Sequence, residues 1–502
     1  MQALSVIGII IEIVILFNFV ILVHELGHFL AARWRGLQVD KFQIWFGKPI
    51  WSKTINGVQW GIGCIPAGGF VALPQMAPME MLEGKSEYKD MKVISPMDKI
   101  IVAFAGPLFS FMLAGFFAVL VWFVKHPVSN DGVTTAIGYV SAEYGVAGSE
   151  QLQAGDVVLE VDNRPVKTWR GMVDSVTWNV ISSGGDTIPF KVQRPGVAEP
   201  IVVELAPPPM GDAVLLKEGE AAPEEETGLV AGAQSAIGGF FQRPALRHVE
   251  RMGVSPKSQP MTGKIYPNSP AAQAGLQPSD VIIEANGQEV TSAQMINDLV
   301  QAAPDKALEI VVQRGEEKLN FSVLPAMPKN AEAIKRDRPM LGLQWDLTGV
   351  TVLKRTPPLE QMQTAVKTMY NTLAAVFTPS SGISAKHLSG PVGIMRVYYL
   401  LFEDKDGWRR ALWFSVILNI NLGIMNLLPL PVLDGGHITM AILESIRRRP
   451  LSKRLLDVAY GGCAILLIGF MIFITGFDVT DIFGGDSRKN EGKGGQMVEP
   501  VF

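Results

Sequence analysis

The chain has 502 residues, of which 48% are hydrophobic, and a formal net charge of −4 at pH 7. This composition is too apolar for a purely soluble protein of such length, and it predicts membrane segments together with several domains. This charge argues neither for nor against a nucleic-acid partner, but the lack of a basic arm interleaved with aromatic residues argues against one. The two cysteines, Cys64 and Cys463, lack the spacing of a metal or redox pair and predict two unpaired thiols.

Residues 1–34 are predicted to form a first transmembrane helix. The run lacks a basic start and a small-residue cleavage site, so a retained span is favoured over a signal peptide. Near its end stands the sequence His24-Glu25-Leu26-Gly27-His28. In a helix, this H-E-x-x-H pattern places two imidazoles on one face, where both bind one zinc ion with the glutamate beside the metal as general base. The alternative, two solvated histidines, does not suit a span, where ionisable residues are costly and indicate function.

Residues 35–95 are predicted to be a β region associated with the membrane on its cytoplasmic side. Strands are expected at 42–51 and 58–73, joined by the hairpin dipeptide Asn56-Gly57. The second strand is rich in glycine, which leaves its edge open to another backbone. Two interpretations remain open: a hairpin that braces the first helix, and an edge that takes up an extended substrate as a further strand.

Three further apolar stretches predict transmembrane helices at 96–125, 411–436 and 459–477. The third of the four predicted spans carries several asparagines, which indicates a functional role if it crosses the membrane. Basic residues cluster in 35–95 and in the loop 437–458, and the positive-inside rule assigns both to the cytoplasm. The region 126–410 and both termini are then predicted to be extracytoplasmic.

The region between the second and third predicted spans contains an internal repeat. The sequence Gln153–Asp162 recurs around Gly275–Gly287, and each copy continues into a helical stretch and a strand. The long spacing does not suit a solenoid and predicts two copies of one small α+β domain, at 126–206 and 254–350. Residues 267–272 resemble the start of a PDZ domain, whereas the matching part of the first copy fits poorly and leaves its binding groove less certain.

Three segments have compositions of a different kind. Residues 207–253 open with three prolines and contain an acidic run, which favours a solvated linker, although an apolar middle leaves open packing on a domain or the membrane. Residues 351–410 form an amphipathic region after the second repeat. The tail 478–502, rich in glycine and lysine, is predicted to be disordered.

A catalytic zinc site needs a third protein ligand and an open position. Asp434 follows the third apolar stretch directly, where Pro429 and Pro431 break the helix, and such freed backbone is tolerated only inside protein or beside a watery cavity. Asp434 is therefore the candidate ligand, with a turn-forming role beside two glycines as the alternative. Asn426, in the same apolar stretch, could bridge helices by hydrogen bonding. His437 is close to Asp434 in sequence, but it is expected to be a loop residue and not a further ligand.

The H-E-x-x-H of the first span, the N-x-x-P-x-P-x-L-D-G of the third, and the PDZ-like repeats between them resemble the site-2 protease family, of the bacterial RseP type. The resemblance implies an intramembrane zinc metalloprotease in which His24, His28 and Asp434 bind one Zn²⁺ and Glu25 is the catalytic acid and base. It also implies that substrate is held by Asn426 and by the edge strand of the hairpin, through Ile65, Pro66, Ala67, Gly68, Gly69 and Phe70.

One departure from the family pattern lies in the second span. The sequence Ala105–Ser110 resembles a family motif, but Ser110 stands where the family usually has asparagine. We expect this difference to affect packing more than chemistry.

The implied fold is membrane α-helical, with four spans, a membrane-associated β-hairpin or sheet and two extracytoplasmic PDZ-like α+β domains, in the bacterial cytoplasmic (inner) membrane. The implied reaction is cleavage of transmembrane segments of pre-trimmed single-span membrane proteins, such as anti-sigma factors or signal-peptide remnants, in regulated intramembrane proteolysis. A non-proteolytic PDZ scaffold is disfavoured because all four catalytic residues are intact. A transporter, suggested by the broken third helix, is disfavoured because the spans are not repeated.

Overall fold

The fold is described from a computed structural model, which covers most of the chain in separate stretches. The described residues are 2–76, 94–142, 146, 148–183, 187–206, 252–331, 338–346, 350–377, 390–402, 406–448, 453–487 and 500–502. Most of the predicted linker 207–253 and the part of the predicted tail at 488–499 lie outside them. The same holds for much of the poorly matching start of the first repeat, at 143–145 and 147.

The N-terminal region consists of two long helices on either side of a β-hairpin. Its elements are α1 (Gln2–Arg35), β1 (Lys41–Ile55), β2 (Val58–Ala72) and α2 (Pro96–Val124). Helix α2 begins with a capping box, because Ser95 and Asp98 exchange side-chain and backbone hydrogen bonds. The two helices approach so closely at Gly27 that a Cβ there would clash with the carbonyl oxygen of Ala105. Glycine at this point therefore allows α2 to lie directly behind the H-E-x-x-H turn.

The hairpin is bent, so that the first part of β1 has both parts of β2 as neighbours. Gln43 pairs with Phe70 on one side and with Gly61 on the other. The second part of β2 thus lies at an edge of the sheet, beside α1. Directly before the register shift between Phe46 and Pro49, Trp45 Nε1 donates a hydrogen bond to Asn18 Oδ1 of α1. The hairpin is in this way fixed against the first helix.

The first PDZ-like unit comprises residues 137–205 together with 252–256. Two short elements, β3 (His126–Ser129) and α3 (Asn130–Val133), lie between α2 and this unit. The unit itself contains β4 (Ile137–Val140), β5 (Val157–Val161), β6 (Arg164–Pro165), α4 (Val176–Ile181), β7 (Ile188–Gln193), β8 (Ile201–Leu205) and β9 (Val254–Pro256). Strands β6, β5, β7 and β8 form one antiparallel sheet, and β4 pairs with β9. Alternating apolar residues of β7, such as Ile188 and Phe190, face a fully buried core.

Strand β9 belongs to the first unit, which differs from the predicted boundary at residue 254. Met252 and Val254 are buried in the core of the first unit, and Ser141 N–H donates to the carbonyl oxygen of Gly253. These apolar side chains complete that core, so the first unit includes residues 252–256 and does not end at residue 206.

The second PDZ-like unit, residues 261–346, repeats the plan of the first. Its elements are β10 (Met261–Ile265), α5 (Pro270–Ala274), β11 (Val281–Ala285), β12 (Gln288–Glu289), α6 (Ala293–Ala302), β13 (Leu308–Arg314), β14 (Glu317–Val323) and β15 (Leu343–Asp346). Strand β15 pairs with β10 as β9 pairs with β4. Asp298 of α6 accepts hydrogen bonds from Tyr139 and Ser141 of the first unit, at 2.9 and 2.7 Å. The two units are therefore in direct contact.

The chain then returns to the helical region. The remaining elements are β16 (Thr351–Lys354), α7 (Pro358–Phe377), α8 (Pro391–Phe402), α9 (Gly407–Asn426), α10 (Asp434–Arg447) and α11 (Lys453–Ser487). Strand β16 pairs with β3, next to the end of α2. Helix α7 packs on α2, where buried Gln361 donates to the carbonyl oxygen of Ala118 at 3.0 Å.

Within the described stretches, three segments are long and apolar enough to cross a membrane: Ile11–Arg35, Pro96–Val124 and Val458–Gly476. Helix α9, the third predicted span, is not among them, and it carries Arg409 and Arg410. The four-span arrangement and its orientation therefore stay predictions. Helix α11 continues through Ser487, beyond the predicted end of the last span, because extending an existing helix is far easier than starting one.

Candidate metal centre

The structure brings His24 and His28 of α1 together with Asp434 at the start of α10. The Nε2 atoms of the two histidines lie 3.2 and 3.3 Å from the two carboxylate oxygens of Asp434. The same two Nε2 atoms are 3.3 Å apart. All three residues thus direct a ligand atom to one point, and these atoms lie within 4.8 Å of one another. The three predicted ligands, from opposite ends of the sequence, meet at one site.

Helix α2 fixes the orientation of both imidazoles. His28 Nδ1 lies 2.8 Å from the carbonyl oxygen of Val102, which can only accept, so this nitrogen carries the hydrogen and Nε2 keeps its lone pair. His24 Nδ1 lies 2.9 Å from Ser110 Oγ. Contacts of this kind to the far nitrogen are the usual means by which a protein sets the tautomer of a metal-binding histidine.

Gly106 of α2 lies directly against the two imidazoles. A Cβ at this position would clash with His28 Nε2 and would stand 2.8 Å from His24 Nε2. Both imidazoles can occupy these positions only because residue 106 lacks a side chain.

Two glycines allow Asp434 to reach the site. After α9 ends at Asn426, residues 427–433 form tight turns, and Asp434 begins α10. A Cβ at Gly435 would clash with the carbonyl oxygen of Leu427, and one at Gly436 would clash with that of Leu430. The Asp-Gly-Gly sequence is thus needed for backbone packing as well as for the carboxylate.

Glu25 lies beside the ligands and touches the second part of β2. A backbone hydrogen bond links its carboxyl group to Val71, and a Cβ at Gly69 would stand 3.5 Å from Glu25 Cγ. The glycine-rich strand and the predicted catalytic acid and base are therefore neighbours.

The other residues of the predicted substrate edge lie farther along β2. Phe70 stacks on Phe46 with ring centroids 6.2 Å apart, and Ile65 is 52% exposed. Pro66, Ala67 and Gly68 lie between them within the strand. None of the contacts described for the chain joins residues 65–68 to the metal centre.

Asn426 ends α9 beside the ligands, with its Nδ2 atom 3.3 Å from His24 Nε2. Its amide therefore faces the same space as the imidazoles. Asn419, one of the other asparagines of this helix, is turned inward and donates to the carbonyl oxygen of Ser415.

The sequence did not reveal the roles of Ser110 and Gly106. Ser110 was expected to matter for packing, whereas its hydroxyl contacts a predicted zinc ligand. The sequence did contain one indication of these roles. Gly106 and Ser110 are four residues apart in an apolar helix, and residues at that spacing lie on the same side of the helix. His437 lies in α10 rather than in a loop, with Nδ1 3.1 Å from the Tyr460 hydroxyl.

The donor set suits zinc. Two imidazole nitrogens and one carboxylate oxygen are ligands that catalytic zinc sites use, and three protein ligands leave a fourth position for water or substrate. The fixed hydrogen on His28 Nδ1 leaves the Nε2 lone pair free to bind a cation. The Asp434 side chain, 18% exposed, has no guanidinium or ammonium partner among its described contacts.

Comparisons with known proteins agree with this geometry. The family model described as Peptidase family M50 matches residues 12–470. The regulator of sigma-E protease RseP of Escherichia coli (strain K12) is 28% identical over 469 residues, which cover 90% of this chain and 94% of the relative. A protein of Pasteurella multocida provisionally named a zinc metalloprotease is 29% identical over 485 residues, 92% of this chain and 96% of its own.

Among solved structures, the PDZ domain of an SdrC-like protein from Listeria monocytogenes matches 18% of this chain and 95% of its own length. The sequence identity is 18% and the TM-score 0.16, which is too low to assign a fold.

Proposed function

Because the chain belongs to Peptidase family M50 and is a zinc metallopeptidase, we propose that it cleaves peptide bonds of membrane proteins within the bilayer, in regulated intramembrane proteolysis. The observation that carries this proposal is the convergence of Asp434 with His24 and His28 beside Glu25, the last three on a helix long and apolar enough to span a membrane. A hydrolytic centre within a membrane-spanning helix is poorly accessible to a soluble substrate.

The residues of the centre have separate roles. His24, His28 and Asp434 hold the zinc ion. When bound, zinc supplies Lewis-acid chemistry, because it acidifies water and polarises a peptide carbonyl. Glu25 accepts the proton of the attacking water and delivers it to the leaving amine. Ser110 and Val102 keep both imidazoles oriented throughout.

The substrate is a transmembrane segment that unwinds locally, since the carbonyl groups of an intact helix are engaged in its own hydrogen bonds. The second part of β2, Ile65–Phe70, offers the unwound segment an edge with which to pair. The closeness of Gly69 to Glu25 supports this, because a strand added there would pass the catalytic carboxylate. Asn426, at hydrogen-bonding distance from His24, holds the substrate backbone next to the scissile bond.

The PDZ-like units restrict access. We place them, with both termini, on the extracytoplasmic side of the bacterial inner membrane, where they exclude proteins that still carry a bulky outer domain. The substrates are then pre-trimmed single-span proteins of the anti-sigma-factor or signal-peptide-remnant type. The direct contacts of Asp298 with Tyr139 and Ser141 support a joint action of the two units.

The test uses the full chain purified in detergent with a tagged single-span substrate. Glu25→Gln is expected to lower the cleavage rate about 10²–10⁴-fold, the usual contribution of general acid–base catalysis, while zinc content stays at one per chain. The matched control is Glu12→Gln, which changes an exposed residue of the same helix, and this variant should cleave the substrate at the wild-type rate. A chelator should abolish cleavage, and added zinc should restore it.

Cleavage by Glu25→Gln at the wild-type rate would refute the assigned mechanism. A scaffold or a transporter would leave the substrate uncut by every variant. The access role is tested separately, with the same substrate bearing or lacking a folded outer domain. Equal cleavage rates of the two forms would refute the proposal that the PDZ-like units restrict access, but would not contradict the peptidase assignment.

A further inference from the structure

Residues 500–502 lie against the second PDZ-like unit, far along the sequence from it. Lys329 N–H donates to the carbonyl oxygen of Val501 at 2.6 Å, and Val501 N–H donates to Asn330 Oδ1 at 2.8 Å. Lys329 Nζ donates to the backbone oxygen of Phe502 at 2.8 Å. Two adjacent residues of the unit thus engage the backbone of both Val501 and Phe502, through one backbone hydrogen bond and two side-chain hydrogen bonds.

The side chain of Phe502 anchors this segment. Phe502 is 8% exposed, whereas the neighbouring Val501 is 53% exposed. The aromatic ring lies against Gly342, where a Cβ would stand 2.7 Å from Phe502 Cε2. Burying a phenylalanine is one of the larger apolar gains available to a peptide segment. The site therefore combines backbone capture with one aromatic pocket.

The floor of this pocket is a position that only glycine suits. Gly342 has φ +74° and directly precedes β15, and a Cβ there would also clash with Ser269 at the start of α5. The pocket is thus formed by the same turn that closes the second unit, and it is not a gap between loosely packed loops.

Residues 500–502 are covalently tethered to the rest of the chain through the segment that follows the last helix. Helix α11 ends at Ser487, and the segment to Pro500 can extend on the order of 45 Å at about 3.4 Å per residue. A ligand joined to its site by a short linker acts at an effective concentration in the millimolar range. An external peptide must therefore compete with a constantly present intrachain one.

We propose that residues 500–502 are an intrachain ligand of the second PDZ-like unit. The site formed by Lys329, Asn330 and Gly342 accepts in its place an extended peptide segment with an aromatic side chain in the position of Phe502. The segment thus controls access of such peptides to the second unit, and its displacement is the step that opens the site. This role does not depend on the peptidase activity.

The experiment measures peptide binding to the full chain in detergent by fluorescence anisotropy. The probe is a labelled peptide of residues 497–502, Met-Val-Glu-Pro-Val-Phe. A variant lacking residues 500–502 is expected to bind it roughly tenfold more tightly than the intact chain, because the tethered competitor is gone. In that variant, Asn330→Ala should weaken binding, and Lys306→Ala, an exposed lysine elsewhere on the unit, should not. A peptide with alanine in place of the phenylalanine should bind much more weakly.

Equal binding by the intact and shortened chains, or no binding by either, would overturn the proposal. A second measurement does not require deletion. In a chain with Cys64→Ala and Cys463→Ala, the pair Asn330→Cys and Val501→Cys should form a disulfide on mild oxidation. The pair Lys306→Cys and Val501→Cys should not. Failure of the first pair to cross-link would also overturn the proposal.

Discussion

The metal centre and the PDZ-like units each bury an aspartate, and they satisfy it in opposite ways. In the first unit, both carboxylate oxygens of Asp156 accept hydrogen bonds of 2.8 Å from Arg194, and Gln153 N–H donates at 2.9 Å. The second unit repeats this with Asp280 and Arg314, at 2.6 Å. Asp434 of the metal centre faces two imidazole nitrogens instead.

Each Asp–Arg pair is a structural site whose charges are balanced within the protein, whereas the metal centre is a site suited to binding a cation. A guanidinium is always charged and matches a carboxylate with two parallel hydrogen bonds, so each Asp–Arg pair is complete within the protein. A neutral histidine whose Nδ1 donates to a backbone carbonyl, as that of His28 does, has its lone pair on Nε2, toward the carboxylate. Two such lone pairs and a carboxylate directed to one point repel one another unless a metal ion or a proton lies between them.

Asp156 shows how an Asp–Arg pair balances its charges within the protein. Burial alone would raise the pKa of its carboxyl group, but the hydrogen bonds and charge of Arg194 and the N–H of Gln153 hold that pKa below its usual range. The hydrogen bonds to Asp156 and its negative charge raise the pKa of the Arg194 guanidinium. The pair therefore stays ionised without any added ion.

The largest effect is expected from filling the space in front of the imidazoles. Gly106→Ala places a methyl group against His28 Nε2 and should lower zinc affinity by about 100-fold or more, at the upper end of changes near metal ligands. Peptidase activity should fall with zinc content, measured by metal analysis of the purified chain.

The matched control for this variant is on the same helix. At Gly115→Ala the added methyl group would have its nearest neighbour, Met362 Sδ, at an ordinary 3.8 Å. Alanine also favours a helix over glycine by about 1 kcal/mol, so neither change should unfold α2. Full zinc content in Gly106→Ala would show that the imidazoles bind the metal elsewhere.

How far the sequence predicts this centre follows from the type of signal each residue carries. His24, Glu25 and His28 are joined by helical spacing, and Asp434 by its place after a broken apolar helix, so all four could be named in advance. Ser110 could not be given its role, because its contact with His24 depends on the rotation of α2 about its axis. That rotation depends on how α2 packs against α1, as at the close approach of Gly27 to Ala105, and such packing is not encoded in a local pattern.

The PDZ-like repeat shows the same limit on a larger scale. Helices, strands and the repeated aspartate follow from local sequence, and two small α+β units are visible in the repeat. The pairing of β9 with β4 and the docking of residues 500–502 bring together segments far apart in sequence. Such contacts are decided by which core an apolar side chain completes, whereas composition alone assigned residues 252–253 to a linker and residues 500–502 to a disordered tail.

A smaller effect is expected from breaking an Asp–Arg pair. Asp280→Asn replaces the charged acceptor of Arg314, and removing hydrogen bonds between charged groups costs about 1–3 kcal/mol. The free energy of unfolding of the second unit should fall by this amount, measured by denaturant unfolding of the full chain. Asp305→Asn, an exposed change in the same unit, should have no effect. Zinc content should remain unchanged in both variants, because neither residue lies near the metal centre.

The smallest effect concerns a third way to bury an ionisable group, which is to keep it neutral. His126 of β3 is 7% exposed, its ring stacks on Trp413 at 5.7 Å, and its Nδ1 atom has no hydrogen-bond partner among the described residues. Burial, reinforced by the positive charge of Lys354 on the paired strand, lowers its pKa to about 4. His126 therefore differs from both aspartate sites, since none of the described residues offers its Nδ1 atom a hydrogen-bond partner.

The sign of the resulting pH dependence follows from that lowered pKa. The unfolded chain binds a proton at His126 near pH 6.5 and the folded chain only near 4, so stability is complete above pH 6.5 and falls as the pH drops toward 4. The slope in this window is about 1.4 kcal/mol per pH unit for one group. His126→Phe keeps an aromatic ring against Trp413 and removes the proton site. The thermal midpoint of wild type should therefore drop more than that of His126→Phe between pH 7.5 and 5.5, and equal drops would mean that the folded chain accommodates a charged His126.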